Sequence, residues 1–340
     1  MYSLIRPLLF QIDAERSHDL TLNILRWASQ SETALKAMRA LYAKQIPAKP
    51  LTLMGLTLPH PLGLAAGLDK QGIAGDAFTA MGFAFVEYGT VTPKPQAGNS
   101  KPRLFRLAEH RAIINRMGFN SIGLEAFLDN IQCSQTPHIK GLNIGKNAAT
   151  PIEKAADDYL LGLKAVYDIA DYIAINISSP NTQNLRALQE DAQLEDLLLQ
   201  LSTERNRLAD KTGIYKPMAL KVAPDLEPEQ IDTICKALLK HKIDGLIATN
   251  TTLSRSAVKG HASANEAGGL SGAPVKQKAT DCIAQFQQCL QGEIPIIGVG
   301  GIEDAASAKA KLDAGASAIQ LYTGLIYQGP AVVKQILRGL

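Results

Sequence analysis

Eight short apolar runs, each followed by a longer segment of helical period, fill the chain from residue 62 onward, and no other feature restricts the fold as strongly. The runs are 62–66, 83–88, 141–144, 172–177, 218–222, 245–249, 294–299 and 318–322. Helical periodicity predicts helices over 72–81, 123–131, 152–169, 194–208, 228–241, 275–290, 304–314 and 331–337. Strands apolar on both faces and always separated by a helix imply a parallel sheet covered by helices, and eight such units close a (β/α)8 barrel. The rival, an open doubly wound sheet, predicts fewer strands and one Gly-rich turn near its start. Here turn glycines recur after nearly every run. The fold class is therefore α/β, a (β/α)8 TIM barrel spanning 46–340, preceded by an N-terminal amphipathic helical extension, 1–45. Two inserts depart from the alternation. Residues 51–61 resemble a short β-hairpin, and 103–117 hold two apolar stretches around Glu109-His110-Arg111; both are expected as extra strands at the barrel ends.

The first fifty residues differ in kind. Leu4, Ile5, Leu8, Leu9 and Ile12 share one side of a helical wheel, and Leu20, Ile24, Trp27 and Ala28 form a second stripe with Leu22 opposite. This is more apolar surface than one docking face requires. A helical hairpin packed on the barrel and a helical pair lying in a membrane interface both fit. The segment also carries seven cations against four anions, an excess that equals the net charge of +3 for the whole chain. So small and mixed a charge does not mark a nucleic-acid binder. The longest uncharged run, 314–333, is broken by Gly315, Gly324, Gly329 and Pro330, so it reads as strand, loop and helix start rather than as a membrane span. No secretory leader is expected, because Arg6, Pro7 and Asp13 interrupt any apolar stretch. Four scattered cysteines, without a Cys-x-x-Cys pair, suggest neither zinc nor a disulfide framework and fit a reducing compartment.

In a parallel barrel the C-terminal ends of the strands converge on one mouth, so the polar residues after each run are the candidates for chemistry. They include Lys70, Asn143, Asn176, Lys221, Asn250 and Thr251. No His, Cys, Asp and Glu cluster has metal-ligand spacing, so no metal is expected. Gly298-Val-Gly-Gly301 and Thr323-Gly324 follow the last two strands, where barrels often hold a phosphate on backbone N–H groups. Asparagine offers a donor and an acceptor, so Asn115, Asn143, Asn176, Asn181 and Asn250 suit the alternating edges of an imide or pyrimidine ring. Lys70 and Lys221 lie beside or within apolar strands, where an ammonium is costly unless it faces an anion. Together they suit an anionic substrate and a cofactor that becomes negative during turnover, such as a reduced flavin. In Asn176-Ile-Ser-Ser-Pro-Asn-Thr182, a serine hydroxyl can relay a proton from a carbon acid when water is excluded. Pro180 would also stiffen an ordinary turn.

The motifs Ala65-Ala-Gly-Leu-Asp-Lys70, Glu87-Tyr-Gly-Thr-Val-Thr-Pro93, Pro102-Arg-Leu-Phe-Arg106, Ile114-Asn-Arg-Met-Gly-Phe119, Asn143-Ile-Gly-Lys-Asn147, Asn176-Ile-Ser-Ser-Pro-Asn-Thr182, Lys221-Val-Ala-Pro-Asp225, Ala248-Thr-Asn-Thr-Thr252, Gly268-Gly-Leu-Ser-Gly272 and Ile297-Gly-Val-Gly-Gly-Ile302 run along nearly the whole chain. In them the sequence resembles the dihydroorotate dehydrogenases, specifically the quinone-using class 2. The resemblance implies oxidation of dihydroorotate to orotate in pyrimidine biosynthesis, with one FMN per chain and quinone as acceptor. It implies FMN contacts at Ala66, Gly67, Leu68, Asp69, Lys70, Thr90, Asn143, Asn176, Lys221, Thr249, Gly272, Gly301, Tyr322 and Thr323. For dihydroorotate it implies Lys70, Asn115, Arg116, Met117, Gly118, Phe119, Asn176, Asn181, Asn250 and Thr251. Ser179 would take the C5 proton while C6 passes hydride to the flavin; a serine here, where soluble class 1 enzymes have cysteine, supports class 2. The N-terminal helices would admit quinone, with His18, Arg106 and Tyr322 lining that end. The protein would be a monomer lying peripherally on the cytoplasmic side of a bacterial inner membrane, and deleting 1–44 would abolish quinone turnover while sparing the flavin half-reaction. The sequence departs from the family pattern at Gln183-Asn184, ahead of Leu185-Arg186, which bears on the mobility of the serine loop. Two alternatives remain: a flavin barrel acting on another pyrimidine-like substrate, and a non-catalytic phosphate-binding barrel at a membrane surface.

Overall fold

Each of the eight apolar runs is a strand. The structure, a computed structural model, describes residues 2–182 and 185–340, so the Gln183-Asn184 departure lies outside the described residues. In chain order the strands are β1 (Leu51–Leu53), β2 (Leu56–Leu58), β3 (Leu62–Leu64), β4 (Phe85–Val91), β5 (Leu104–Leu107), β6 (Ala112–Asn115), β7 (Ile139–Ile144), β8 (Tyr172–Asn176), β9 (Met218–Val222), β10 (Gly245–Ala248), β11 (Gly269–Gly272), β12 (Ile296–Val299) and β13 (Ala318–Leu321). Eight of them close a parallel barrel in the order β10-β12-β13-β3-β4-β7-β8-β9. Every residue of β9, Met218 to Val222, is buried, as a strand covered on both faces must be.

The barrel interior is built in layers. At the bottom, β1 and β2 form the expected hairpin, and Leu53 and Leu58 pack against Phe85, Tyr172, Ala219, Ile297 and Ala318. Burying each leucine contributes about 2 kcal/mol and closes that end. Gly63 and Gly141 make room for the next layer: a Cβ on either would lie 2.4 Å from the Phe85 ring or 2.1 Å from the Tyr172 ring. Along β4 the inward positions alternate, so Glu87 follows Phe85 one layer higher. The polar layer around Glu87 supports the mouth.

The helices follow the predicted order with shifted ends. The helix expected over 72–81 begins only at Gly75, because the preceding residues wrap the Asp69 carboxylate, which accepts the N–H groups of Gly72, Ile73 and Ala74 at 2.8, 3.1 and 2.8 Å. The segment 152–169 is a 3-10 turn followed by the helix Ala155–Val166. Pro228–Lys240 opens on a capping box between Glu227 and Gln230 with Pro in its first turn. Two elements have no counterpart in the sequence reading. The helix Thr323–Gln328 follows the last strand at once, and β11 pairs with β6 beside β5 in a small antiparallel sheet. β11 carries glycine at both ends and lacks an apolar run.

The N-terminal extension comprises α1 (Tyr2–Gln11), α2 (Ala14–Ser29) and α3 (Glu32–Met38), continued by a π-helical turn over Arg39–Ala43. Asp13 caps α2, accepting from the N–H groups of Glu15 and Arg16, and Ser31 caps α3. α2 buries Glu15, Ser17, Leu22 and Ala28 against the barrel, while Leu4, Leu8, Ile24 and Trp27 are all more than half exposed. Among the described residues, no helix is long and apolar enough to cross a membrane.

Candidate active site

The strand ends and the small sheet enclose a cleft of about 1010 Å³ of empty space, open to solvent. Its floor is a buried hydrogen-bond network. Glu87, fully buried, accepts from Lys221 Nζ at 3.2 Å and Asn143 Nδ2 at 2.8 Å on Oε1, and from Tyr172 OH at 3.0 Å and Gln320 Nε2 at 2.7 Å on Oε2. Four strands of the barrel are thereby fixed around one carboxylate, which compensates the buried ammonium. Above it, Thr90 Oγ1 donates to Asn143 Oδ1 at 2.6 Å and accepts from Asn176 Nδ2 at 2.8 Å. Asn250 Nδ2 then bridges Asn176 Oδ1 at 3.2 Å and Ser178 Oγ at 3.0 Å. The orientation of each amide is set by its neighbour, so the site is preorganised.

Ser179 is buried at 6% exposure in the cleft wall, and its Oγ accepts the N–H of Asn181 at 3.3 Å. Asn181 Nδ2 donates to Asn115 Oδ1 at 3.1 Å, joining the serine loop to the end of β6. Lys70 donates to Gly67 O at 2.7 Å, and burial followed by the nearby Arg103 charge brings its ammonium down to about 8. Thr251 Oγ1 and Gln320 Oε1 border the cleft buried and without a hydrogen-bond partner.

Behind the cleft runs a second, apolar groove between α1, α2 and the barrel, about 1310 Å³ of empty space. Arg106 closes one side: Nη1 donates to Leu9 O at 2.9 Å, Nη2 donates to Ile12 O, and its guanidinium lies 4.7 Å from the Phe10 ring centroid. Burial holds His18 down to about 3, with the Lys70 charge adding to the effect, so its imidazole is neutral. Tyr322, pushed up to about 12 by burial, borders both cavities.

The family profile of dihydroorotate dehydrogenase matches residues 50–340. The chain belongs to the dihydroorotate dehydrogenase family. Proteins called dihydroorotate dehydrogenase (quinone) from Vibrio atlanticus (strain LGP32) and Chromobacterium violaceum are 52% identical over 340 residues and 54% identical over 338. The match covers 100% of both chains in the first case, and 99% of this chain and 97% of the other in the second. Among solved structures, DHODH from Eimeria tenella in complex with ferulenol has a TM-score of 0.86 at 37% identity, covering 96% of this chain and 90% of that one. The ligand-free E. tenella DHODH has a TM-score of 0.80 at 40% identity, covering 91% and 93%.

The fold brings most of the residues implied by the dihydroorotate dehydrogenase resemblance into contact with one space. Ala66, Gly67, Lys70, Thr90, Asn176, Lys221, Thr249, Gly272, Gly301, Tyr322 and Thr323 line the cleft, as do Asn115, Met117, Gly118, Phe119, Ser179, Asn181, Asn250 and Thr251. His18, Arg106 and Tyr322 all line the groove. Four residues stand back from the cleft. Leu68 faces the groove, Asp69 is taken up by its three backbone N–H groups, and Asn143 lies beneath Thr90. Arg116 turns away to Glu266, donates to Pro102 O at 2.8 Å and stacks on Phe105. Sequence reasoning missed Glu87, Tyr172 and Gln320. Glu87 carried the same signal as Lys221, an ionisable residue inside an apolar run, and the two belong to one pair. Among the described residues, no cluster of three or more His, Cys, Asp or Glu could hold a metal ion.

Proposed function

We propose that the chain oxidises (S)-dihydroorotate to orotate and passes the electrons to a quinone by way of bound FMN, as a step of pyrimidine biosynthesis. The observation that carries this reading is that a cleft lined by amide, ammonium and hydroxyl groups and an apolar groove share Tyr322 as a wall. A water-soluble heterocycle and a lipid-soluble acceptor can each bind in a suitable medium, on either side of one redox group. The relatives called dihydroorotate dehydrogenase (quinone) support both halves.

The cleft fits FMN. A Cβ on Gly272 would lie 2.3 Å from Arg111 O, on Gly301 2.4 Å from Lys276 Cα, and on Gly324 2.2 Å from Ile302 O. Close packing of the chain's own backbone demands glycine at these three positions, and all three line the cleft after the last strands, where barrels hold a phosphate on backbone N–H groups. Thr323 Oγ1 donates to Ser271 Oγ at 2.9 Å, so two hydroxyls border the same cradle. We assign the phosphate to Gly272, Gly301, Thr323 and the turn after Tyr322, and the ring to Ala66, Gly67, Lys70, Thr90, Asn176, Lys221 and Thr249. Lys221 spends one of its three donors on Glu87 and keeps the others for a ring that gains electrons. When bound, FMN supplies the two-electron acceptor for the hydride that leaves substrate C6.

The chain's own residues do the rest. Lys70 faces the substrate carboxylate as its counter-charge, while Asn115, Asn176, Asn181 and Asn250 meet the alternating N–H and C=O edges of the ring. Ser179 Oγ relays the C5 proton, taking it up as its own hydroxyl proton passes to water in the solvent-open cleft. On the other side, neutral His18 and Arg106 offer donors to a quinone oxygen. The exposed apolar side chains of α1 and α2 support peripheral attachment to a membrane, and we place that attachment on the cytoplasmic face of a bacterial cell.

Anaerobic titration of the purified protein with dihydroorotate tests the reading. Loss of the visible flavin absorbance, and its return on adding a short-chain quinone, is the expected result. A colourless protein would point to a silent phosphate-binding barrel. A yellow protein that dihydroorotate leaves unbleached would point to a different substrate.

A further inference from the structure

The helices of the apolar groove are attached to the substrate side by more than apolar packing. Glu15, in the first turn of α2, is 6% exposed, and so is Arg103 beside it. Arg103 donates from Nε to both Glu15 oxygens at 3.2 Å and from Nη2 to Oε1 at 2.8 Å, and Lys101 Nζ lies 3.1 Å from Oε1. From its other edge, Nη1 donates to Ala97 O at 2.6 Å and Asn99 O at 2.8 Å. A planar guanidinium with both edges engaged fixes the orientation of what it holds.

What it holds is the back of the cleft wall. The Asn99 N–H donates to Met117 O at 3.0 Å, and Asn99 Nδ2 donates to Arg116 O at 2.9 Å and Asn181 O at 3.3 Å. The Arg116 N–H returns to Arg103 O at 2.8 Å. The two loops interlock at backbone distance: a Cβ on Gly98 would lie 2.3 Å from Met117 O, and one on Gly118 would lie 2.7 Å from Asn99 Cγ. Met117, Gly118 and Asn181 line the cleft, whereas Glu15, Asn99 and Arg103 do not.

We propose that Arg103 is a positioning residue for dihydroorotate, held in place by Glu15, so that α2 completes the substrate wall from behind. The proposal rests on the functional reading above and extends it, giving a helix of the acceptor groove a part in the other half-reaction. Without the carboxylate, the guanidinium is a buried charge lacking its partner, and it must turn or admit water. The carbonyls of Ala97 and Asn99 then lose their common donor, and Asn181 and residues 116–118 lose their backing.

The test uses the full-length flavoprotein mixed anaerobically with dihydroorotate while bleaching is followed. In Glu15→Gln the concentration giving half the limiting rate should rise by about ten-fold, because misplacing a binding wall by about 1 Å is already costly. The limiting rate at saturation should stay within about two-fold, a split that general loss of folded protein would not produce. Asn99→Ala, at an exposed residue, should shift saturation in the same direction. The double variant should be no worse than the worse single one, because both cut one path. Saturation of Glu15→Gln at the wild-type concentration, or effects that multiply independently, would sink the proposal. If Glu15→Gln yields no folded flavoprotein, Asn99→Ala decides alone, and wild-type saturation in it overturns the linkage. A wild-type protein that dihydroorotate fails to bleach overturns the functional reading, and the linkage falls with it.

Discussion

Lys70 is a side chain of the cleft on which pH acts directly. Burial and then the Arg103 charge bring its ammonium down to about 8, so it is mostly charged near neutrality and loses its proton as pH rises through that value. Its attraction for a carboxylate disappears with the proton. Half-saturating dihydroorotate should therefore climb on the alkaline side of about 8, and Lys70→Met should bind weakly at every pH with that limb gone. Flavin reduction followed across the pH range checks both outcomes, and an unaltered limb in the variant would assign it elsewhere. Ser179→Ala should slow flavin reduction by about 10²–10⁴ while the flavin content is retained, since the role proposed for the hydroxyl is on the substrate and not in the glycine cradle. Reduction at the wild-type rate would refute the base assignment. The lysines, asparagines and serine were legible because they follow or interrupt apolar runs, and the barrel rule sends such positions to one mouth. Glu87 was equally legible in principle. Arg103 and Glu15 were not: their partnership joins residues 88 apart in sequence, and no local pattern announces it.

At the scale of elements, short apolar runs located every barrel strand because strands covered on both faces are apolar at successive positions, and their shortness set them apart from buried helix. That signal failed for β11, whose four residues hold three that pack little or nothing, and which is a strand only because β6 presents an edge. Of the two readings left open for the N-terminal helices, the structure shows docking on the barrel, and the exposed stripe is what the membrane reading requires. α2 turns Leu22 and Ala28 to the barrel and leaves Ile24 and Trp27 exposed. Trp27, 66% exposed, is the only tryptophan of the chain, so its emission reports on this face alone. Adding anionic lipid vesicles should shift the emission to the blue, and an unmoved spectrum would count against membrane contact. Deleting 1–44 should abolish quinone turnover. The sequence alone predicts an unaffected flavin half-reaction, but the loss of Glu15 changes that expectation: the truncated protein should also require more dihydroorotate for half-saturation. An unchanged requirement would show that α2 serves the acceptor only.

For the molecule as a whole, the barrel topology followed from counting runs, whereas the position of its contents depended on contacts between distant segments. The hairpin of β1 and β2 stops one end with Leu53 and Leu58, the Phe85 and Tyr172 rings fill the next layer, and the carboxylate network carries the floor. The cleft and the groove both reach Tyr322, and on the proposed function they form two lanes, one for each substrate. On that function, reductant and oxidant would enter by separate doorways. A blocker lodged in the oily lane should depress the maximal steady-state rate, and flooding the assay with dihydroorotate should not rescue it; inhibition relieved by excess dihydroorotate would mean that the partition leaks.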